Sequence, residues 1–118
     1  MLMHKTLEQR VMEHSRYDIR WIGRCQYGTS DKIWGYFVYK DPTNPSACSN
    51  DIYAFWAPTG KSLHFAKHQH GLYKASRLVK QKKDRKYNEI NEAELVSVYP
   101  NFWEDLDNKF IFFMLVGD

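Results

Sequence analysis

The alternation of apolar and polar residues predicts two strands in the first third of the chain. From Tyr17 to Tyr27 the pattern has a period of two, which places five side chains on one face: Tyr17, Ile19, Trp21, Cys25 and Tyr27. Gly23 breaks the pattern, which predicts a bulge or a close backbone approach. The segment from Lys32 to Lys40 (KIWGYFVYK) is aromatic on both faces, which is typical of a central strand. The polar cluster between the two segments predicts an antiparallel hairpin.

Two shorter strands and one main helix follow. Residues 41–50 contain two prolines and many turn-forming residues, which predicts an exposed loop. Strands are predicted from Ile52 to Trp56 and from Leu63 to Phe65, with a turn at 57–60 between them. From Leu72 to Lys86 apolar residues recur at helical spacing, but the last turn is basic on all sides. We therefore expect the basic end of this helix to project beyond the core.

The two ends of the chain receive different predictions. Thr6 and Gln9 form a capping box, and the apolar spacing predicts a short amphipathic helix over 6–15, in an N-terminal segment 1–16 that covers the sheet. Near the other end, 95–99 is predicted as a short strand or extended piece and 100–103 as a turn. The continuously apolar run 109–116 (KFIFFMLV) predicts a strand buried on both faces. Helices or a second subunit must cover such a strand, so a homodimer is one expected arrangement.

Length and composition set the fold class. A chain of 118 residues corresponds to one domain, spanning 1–118, and an aromatic content of 16% favours strands. We predict an α+β fold, with a mainly antiparallel twisted sheet and one main helix packed across it. Cys25 and Cys48 lack the close spacing of a zinc or redox pair and are interpreted as free thiols, which favours a cytoplasmic location. The apolar runs are too short to span a membrane, so no membrane partner is expected.

Charge is distributed unevenly along the chain. The net charge is only +3, yet residues 61–86 carry nine basic side chains against Asp84, and residues 89–118 carry seven acidic side chains against Lys109. This asymmetry favours a polyanionic partner, or two opposite faces that meet. Basic side chains can neutralise phosphates, while Trp56, Tyr73 or Tyr87 can stack on a base or ribose. The candidate nucleic-acid-binding residues are Lys61, Lys67, Lys74, Arg77, Lys80, Lys82, Lys83, Arg85, Lys86 and Trp56.

The segment 30–116 resembles the WGR domain, a module named for its Trp-Gly-Arg signature. The similarity lies in Trp56-Ala57-Pro58-Thr59-Gly60, in the helix that follows it and in the flanking KIWGYFVYK and YPNFW segments. The resemblance implies a twisted antiparallel sheet with a helix packed across it. In poly(ADP-ribose) polymerases it also implies a role in gripping DNA ends. Trp56 and Gly60 match the family's pattern, whereas Ala57 and Pro58 replace the signature Gly and Arg, so the family's guanidinium contact is missing.

Other functions have less support in the sequence than nucleic-acid binding. His64, His68 and His70, with Cys25 or Cys48, are metal-binding residue types, but their spacing is not that of a zinc site, and we expect no metal or cofactor. A nuclease with His64 or His68 as general base lacks a recognisable acidic partner and is the least favoured reading. We predict a non-enzymatic nucleic-acid-binding module, with DNA favoured. The alternative is a regulatory module that binds an acidic protein surface through exposed aromatic side chains.

Overall fold

Five strands form one antiparallel sheet in the computed structural model, which describes residues 16–40 and 50–116 and their side chains as far as residue 113. The strands are β1 (Tyr17–Tyr27), β2 (Ser30–Tyr39), β3 (Ile52–Pro58), β4 (His64–His68) and β5 (Tyr87–Glu89). Their order across the sheet is β4-β3-β2-β1-β5, so β2 is central. The predicted hairpin and the predicted strand from Ile52 are confirmed, while the fourth strand, predicted at Leu63–Phe65, lies at His64–His68. The short β5, which pairs with β1, is not predicted by the sequence pattern.

The described helices are a 3₁₀ helix and three α-helices: the 3₁₀ helix Gly71–Lys74, α1 (Ala75–Asp84), α2 (Glu92–Val98) and α3 (Phe102–Val116). The predicted main helix is confirmed, although its first turn is the 3₁₀ helix and its α-helical part ends at Asp84. The α+β class with a mainly antiparallel sheet is therefore confirmed. The predicted N-terminal helix, Cys48 and most of the predicted 41–50 loop lie outside the described residues.

The predictions for the last quarter of the chain are wrong. Residues 95–98, expected to be extended, belong to α2, whose start is capped where the side-chain oxygen of Asn91 accepts a hydrogen bond from the Glu94 amide (2.8 Å). Residues 109–116, expected to be a strand, are the second half of α3. The predicted turn at 100–103 is limited to Pro100 and Asn101, because α3 begins at Phe102.

A bulge in β1 decides which of its side chains share a face. The register with β2 shifts between Ile19 and Trp21, so Arg20 is the extra residue. Tyr17 and Ile19 pack into one core cluster and Trp21 into the other, which corrects the prediction of a single shared face. Gly23 is therefore a site of close approach and not the bulge itself. A Cβ atom there would overlap the indole ring of Trp21.

The two faces of the sheet are covered by different helices. On the side called here the α3 side, Phe37 and Phe55 of the sheet pack with Leu95 of α2 and with Phe102 and Phe110 of α3. On the opposite side, the α1 side, the buried residues come from the sheet, from β5 and from α1: Trp21, Cys25, Trp34, Tyr36, Val38, Ile52, Ala54, Ala75 and Tyr87. The sheet thus separates the basic helix α1 from the acidic helices α2 and α3.

Candidate nucleic-acid interface

Helix α1 lies on the sheet through one apolar stripe. Ala75 is buried, and Leu78 and Val79 are half-buried against the cluster that contains Trp34 and Tyr87. Because these three positions recur at spacings of three and four, they occupy one side of the helix. The other side of α1 faces solvent, and its side chains are free to contact a partner.

The preceding 3₁₀ helix fixes where α1 begins. The amide of Leu72 donates a hydrogen bond to the carbonyl of Asn50 (2.9 Å), and a Cβ atom at Gly71 would approach Ile52 to 2.7 Å. His70, with φ of 56°, turns the chain into this helix and donates its amide hydrogen to Asp51 Oδ1 (2.9 Å). These contacts hold the N-terminal end of α1 beside the start of β3 and the end of β4.

Eight cations lie on α1, on its flanking residues and on the adjacent part of β2. We call them the basic surface: Lys32, Lys74, Arg77, Lys80, Lys82, Lys83, Arg85 and Lys86. All are exposed except the half-buried Lys82. The carboxylates beside these cations are Asp84 and Glu89, and Glu89 keeps its charge while it accepts a hydrogen bond from the neutral Trp21 indole (3.0 Å). The ion pairs between described residues involve other cations, namely Arg20, Arg24, Lys67 and Lys109. The basic surface is therefore not neutralised by the described carboxylates.

Lys82 differs from the rest of the basic surface because it turns inward. Its ammonium nitrogen lies 5.2 Å from the ring centre of Trp34 and 5.5 Å from that of Tyr87, which are cation–π distances. Burial lowers the pKa of Lys82, and the neighbouring cations Arg85 and Lys32 lower it further. The prediction that the last helical turn projects wholly beyond the core is therefore wrong at Lys82.

Lys32 belongs to the basic surface although sequence reasoning missed it. It pairs with Cys25 in the β1–β2 ladder, so both side chains point to the α1 side, and its ammonium nitrogen lies 5.9 Å from the ring centre of Tyr87. Lys32 is far from α1 in the sequence, so the helical charge pattern gives no sign of it. The alternation in β2 places Lys32 on the same face as Trp34, but the sequence does not show that α1 covers that face.

The C-terminal end of α1 concentrates positive charge where the helix itself is partly negative. The amide of Arg85 donates to the carbonyls of Gln81 and Lys82, and the amide of Lys86 donates to that of Lys83 (3.1 Å). Lys86 has φ of 72°, in the left-handed region that favours glycine. The cations of this turn interact favourably with the unpaired carbonyls at the helix end. That interaction stabilises the helix end, and the outward-facing side chains remain able to bind phosphates.

Three of the predicted binding residues lie outside the basic surface. Lys61 occupies the β3–β4 turn, in a cleft of about 400 Å³ shared with Glu104 and Asp105 of α3. Lys67 pairs with Tyr53, which packs on the α3 side, and its ammonium lies 4.0 Å from the carboxylate of Asp51. Trp56 stacks on His64 with ring centres 5.9 Å apart and is 37% exposed. The structure therefore gathers seven of the ten predicted residues, together with Lys32.

The aromatic residues proposed to stack on a base differ greatly in exposure. Tyr87 is buried under Lys82, so its ring faces are not available to a partner. Tyr73, in the 3₁₀ helix directly before α1, is 77% exposed. Tyr27, which the sequence did not indicate, is 67% exposed. The exposed rings of Tyr73 and Tyr27 therefore lie beside the basic surface.

The histidines do not gather with other metal-binding residue types. His64 and His68 pair with Trp56 and Ile52 in the β3–β4 ladder, and His70 lies in the turn before the 3₁₀ helix. Across residues 16–40 and 50–113, no group of three His, Cys, Asp or Glu side chains is placed to hold a metal ion. Cys25 is a buried free thiol that donates a hydrogen bond to the carbonyl of Arg85 (3.6 Å).

Comparisons with known proteins add no assignment to this geometry. The chain matches no family model, no curated protein and no solved structure. Among the described helices, none combines the length and apolar character needed to cross a membrane. A functional proposal for this chain therefore rests on its own residues.

Proposed function

We propose that this protein is a non-enzymatic nucleic-acid-binding module that contacts phosphates through the basic surface. The observation that carries the proposal is a cluster of eight cations on one side of the sheet, interrupted by the single carboxylate Asp84 in the helical stretch. Each cation that neutralises a phosphate releases a condensed counterion, which drives binding at low salt. Because α1 is anchored by its apolar stripe, these charges are presented on a rigid element.

Our proposal keeps DNA as the favoured partner and a WGR-like scaffold as its framework. Two features support the scaffold: an antiparallel sheet with a basic helix across one face, and a positive φ of 81° at Gly60, which suits the glycine in the family's pattern. Pro58 stands where the family has its signature Arg. In this proposal the phosphate contacts are therefore made by α1 and not by the turn after Trp56.

Fluorescence anisotropy with labelled duplex DNA across a salt series tests the proposal. We expect tight binding at low salt, and a slope of log affinity against log salt of about −3 to −6 if four to six phosphates are neutralised. The triple variant Lys80→Glu, Lys83→Glu and Lys86→Glu should abolish this binding. Lys82 is left unchanged, because its packing on Trp34 and Tyr87 would confuse loss of charge with loss of stability.

A second charge-reversal variant is the matched control. Lys61→Glu, Lys67→Glu and Lys109→Glu together also reverse three lysine charges, but these residues belong to the β3–β4 turn, to β4 and to α3, away from the basic surface. We expect this variant to bind nearly as tightly as the unchanged protein. Equal losses in both variants would indicate a response to net charge alone. Absence of binding by the unchanged protein at low salt would refute the proposal.

A second candidate function, binding to a protein partner, rests on a different surface. Ile111 and Phe112 of α3 are 49% and 66% exposed, and they lie on the helix side opposite the buried Phe110. Exposed apolar side chains next to one another are typical of protein-binding sites. This function becomes the leading candidate if the unchanged protein fails to bind nucleic acid, and replacement of Phe112 by a charged residue would then test it in a self-association measurement.

A further inference from the structure

The basic surface has a highly exposed tyrosine beyond each of its ends. Tyr73 precedes α1 in the chain, and its neighbours are Lys74 and, one helical turn on, Arg77. Its ring is 77% exposed, and the ring contacts between described residues do not include it. A ring in that position stays in contact with water and adds little to the packing of the fold, so its faces are available for stacking.

Tyr27 occupies the corresponding place beyond the other end of α1. The β1–β2 ladder pairs Cys25 with Lys32 and Tyr27 with Ser30, so the alternation directs Tyr27 to the α1 side. The Cys25 thiol donates to the carbonyl of Arg85, which places this part of β1 beneath the C-terminal end of α1. Tyr27 is two residues further along β1, roughly 7 Å, and is 67% exposed.

We infer that the basic surface takes single-stranded nucleic acid in preference to a duplex, with one unpaired base stacked on Tyr73 and another on Tyr27. The inference rests on the proposed function and deepens it by naming the class of nucleic acid. The ten residues of α1 separate the two rings by roughly 15 Å or more, and exposed cations fill the interval. A single strand offers both free base faces and phosphates, whereas the bases of a duplex are already stacked on one another.

The charge pattern favours a nucleic acid over an acidic protein as the occupant of this surface. Cations alternate along the exposed side of α1 at spacings of three, as in Arg77, Lys80 and Lys83, and the rings lie beyond the ends of that row. A nucleic-acid strand supplies regularly repeated phosphate charges together with flat bases, which is the combination that this arrangement matches. Both rings have polar neighbours and are too far apart to form one apolar patch.

Anisotropy with labelled oligothymidylate and with a duplex of equal length tests the inference. We expect the unchanged protein to bind the single strand at least about tenfold more tightly at the same salt concentration, because stacking on one ring is worth about that factor. Tyr73→Ala and Tyr27→Ala should each weaken single-strand binding about tenfold and leave duplex binding unchanged. Tyr73→Phe should retain the affinity for the single strand, since phenylalanine also stacks on bases. Both tyrosines are exposed, so circular dichroism should show unchanged folding.

Matched variants separate the failure of this inference from the failure of the proposed function. Phe112→Ala removes a ring of similar exposure from α3, on the other side of the sheet, and should bind both ligands normally. The inference is overturned if the alanine variants bind the single strand with the same affinity as the unchanged protein does. It is also overturned if they lose affinity for the single strand and for the duplex to the same degree. The proposed function still stands in that case, provided that the Lys80, Lys83 and Lys86 charge reversal abolishes binding. If the unchanged protein binds neither ligand at low salt, both are overturned.

Discussion

At the scale of single residues, Lys86 combines an unfavourable backbone conformation with a charge suited to binding. Its φ of 72° costs a non-glycine residue about 1–2 kcal/mol, whereas glycine adopts it freely. Glycine also increases the entropy of the unfolded chain, which offsets part of the gain. We expect Lys86→Gly to leave the free energy of unfolding unchanged or to raise it by up to about 1 kcal/mol, and to weaken nucleic-acid binding.

Lys80→Gly is the matched control for this prediction. It removes the same charge from the exposed middle of α1, where glycine lowers the free energy of unfolding by about 1 kcal/mol. Urea unfolding should therefore separate the two variants, while their binding should weaken to a similar degree, with the salt slope reduced by about 1 in each. An equal loss of stability in both variants would contradict the conformation assigned to Lys86.

Buried tyrosines make the stability of the fold sensitive to alkaline pH. Burial is the largest cause that raises the pKa of Tyr17, Tyr36, Tyr87 and Tyr99, and the Asp105 carboxylate raises that of Tyr99 further. A raised pKa in the fold stabilises the neutral form. This contribution is fully present below the unfolded pKa of about 10 and is lost as the pH rises through the folded pKa, at up to about 1.4 kcal/mol per pH unit for each group.

Tyr99→Phe isolates one of these contributions. The Tyr99 hydroxyl has one proton to donate, with the Asp105 carboxylate at 2.7 Å and the Lys61 carbonyl also in reach. The variant should lose about 1 kcal/mol at neutral pH, and its deficit relative to the unchanged protein should shrink above pH of about 10. Urea unfolding at neutral and alkaline pH measures this. A deficit that stays constant across that range would show that Tyr99 ionises alike in both states.

At the scale of elements, α3 explains how a continuous apolar run can be amphipathic. Phe110 is 1% exposed and packs against Tyr17, Phe37 and Tyr53, whereas Phe112 is 66% exposed. Residues two apart would share a face in a strand but point in different directions in a helix. We expect Phe110→Ala to lower the free energy of unfolding by about 3–5 kcal/mol and Phe112→Ala to change it by less than about 0.5 kcal/mol. Similar losses in both would favour a strand.

The fold could be predicted where the spacing of apolar residues fitted one kind of element. It could not be predicted where the same residues fitted both a strand and a helix. Alternation identified β1, while the aromatic segment 32–40 and the short apolar runs on either side of the turn at 57–60 identified β2 to β4. In the C-terminal run every residue after Lys109 is apolar, so strand and helix cannot be distinguished within it. The helical spacing of Phe102, Leu106 and Phe110 becomes visible only if the polar residues before the run are included. The bulge at Arg20 had no signal of its own.

At the scale of the whole molecule, the candidate site depends on contacts that the sequence does not encode locally. Charge clustering identified α1 and its flanking residues as the candidate site, because seven cations of the basic surface lie within residues 74–86. Lys32 and Tyr27 join the site only through the β1–β2 register and the position of α1 over it. Lys61 does not belong to the site, because the β3–β4 turn lies against α3. The side of the sheet thus decides the membership of Lys32, Tyr27 and Lys61, whereas Trp56, the ladder partner of Trp34, faces the α1 side but stacks on His64 outside the basic surface.

The separation of charge by the sheet also predicts how distant acids affect binding. The exposed Glu92, Glu94 and Glu104 belong to α2 and α3, about 20 Å from α1 across two packed layers. At that distance a pair of charges in water interacts by about 0.2 kcal/mol. The Debye length is about 30 Å at 0.01 M salt but about 8 Å at 0.15 M, so this interaction is screened only at the higher salt concentration. Replacing all three by Gln should therefore raise the affinity for DNA severalfold at low salt and leave it unchanged at physiological salt.

Asp84→Asn provides the contrasting case, because Asp84 lies within the basic surface, close to where a phosphate would bind. At such short range its repulsion is screened less, so the gain in affinity should persist to higher salt than the gain from the three distant replacements. Anisotropy titrations of both variants across the same salt series measure the difference. An equal gain at both salt concentrations for the triple variant would mean that α2 and α3 contact the nucleic acid directly, and the division of roles between the two sides of the sheet would then be wrong.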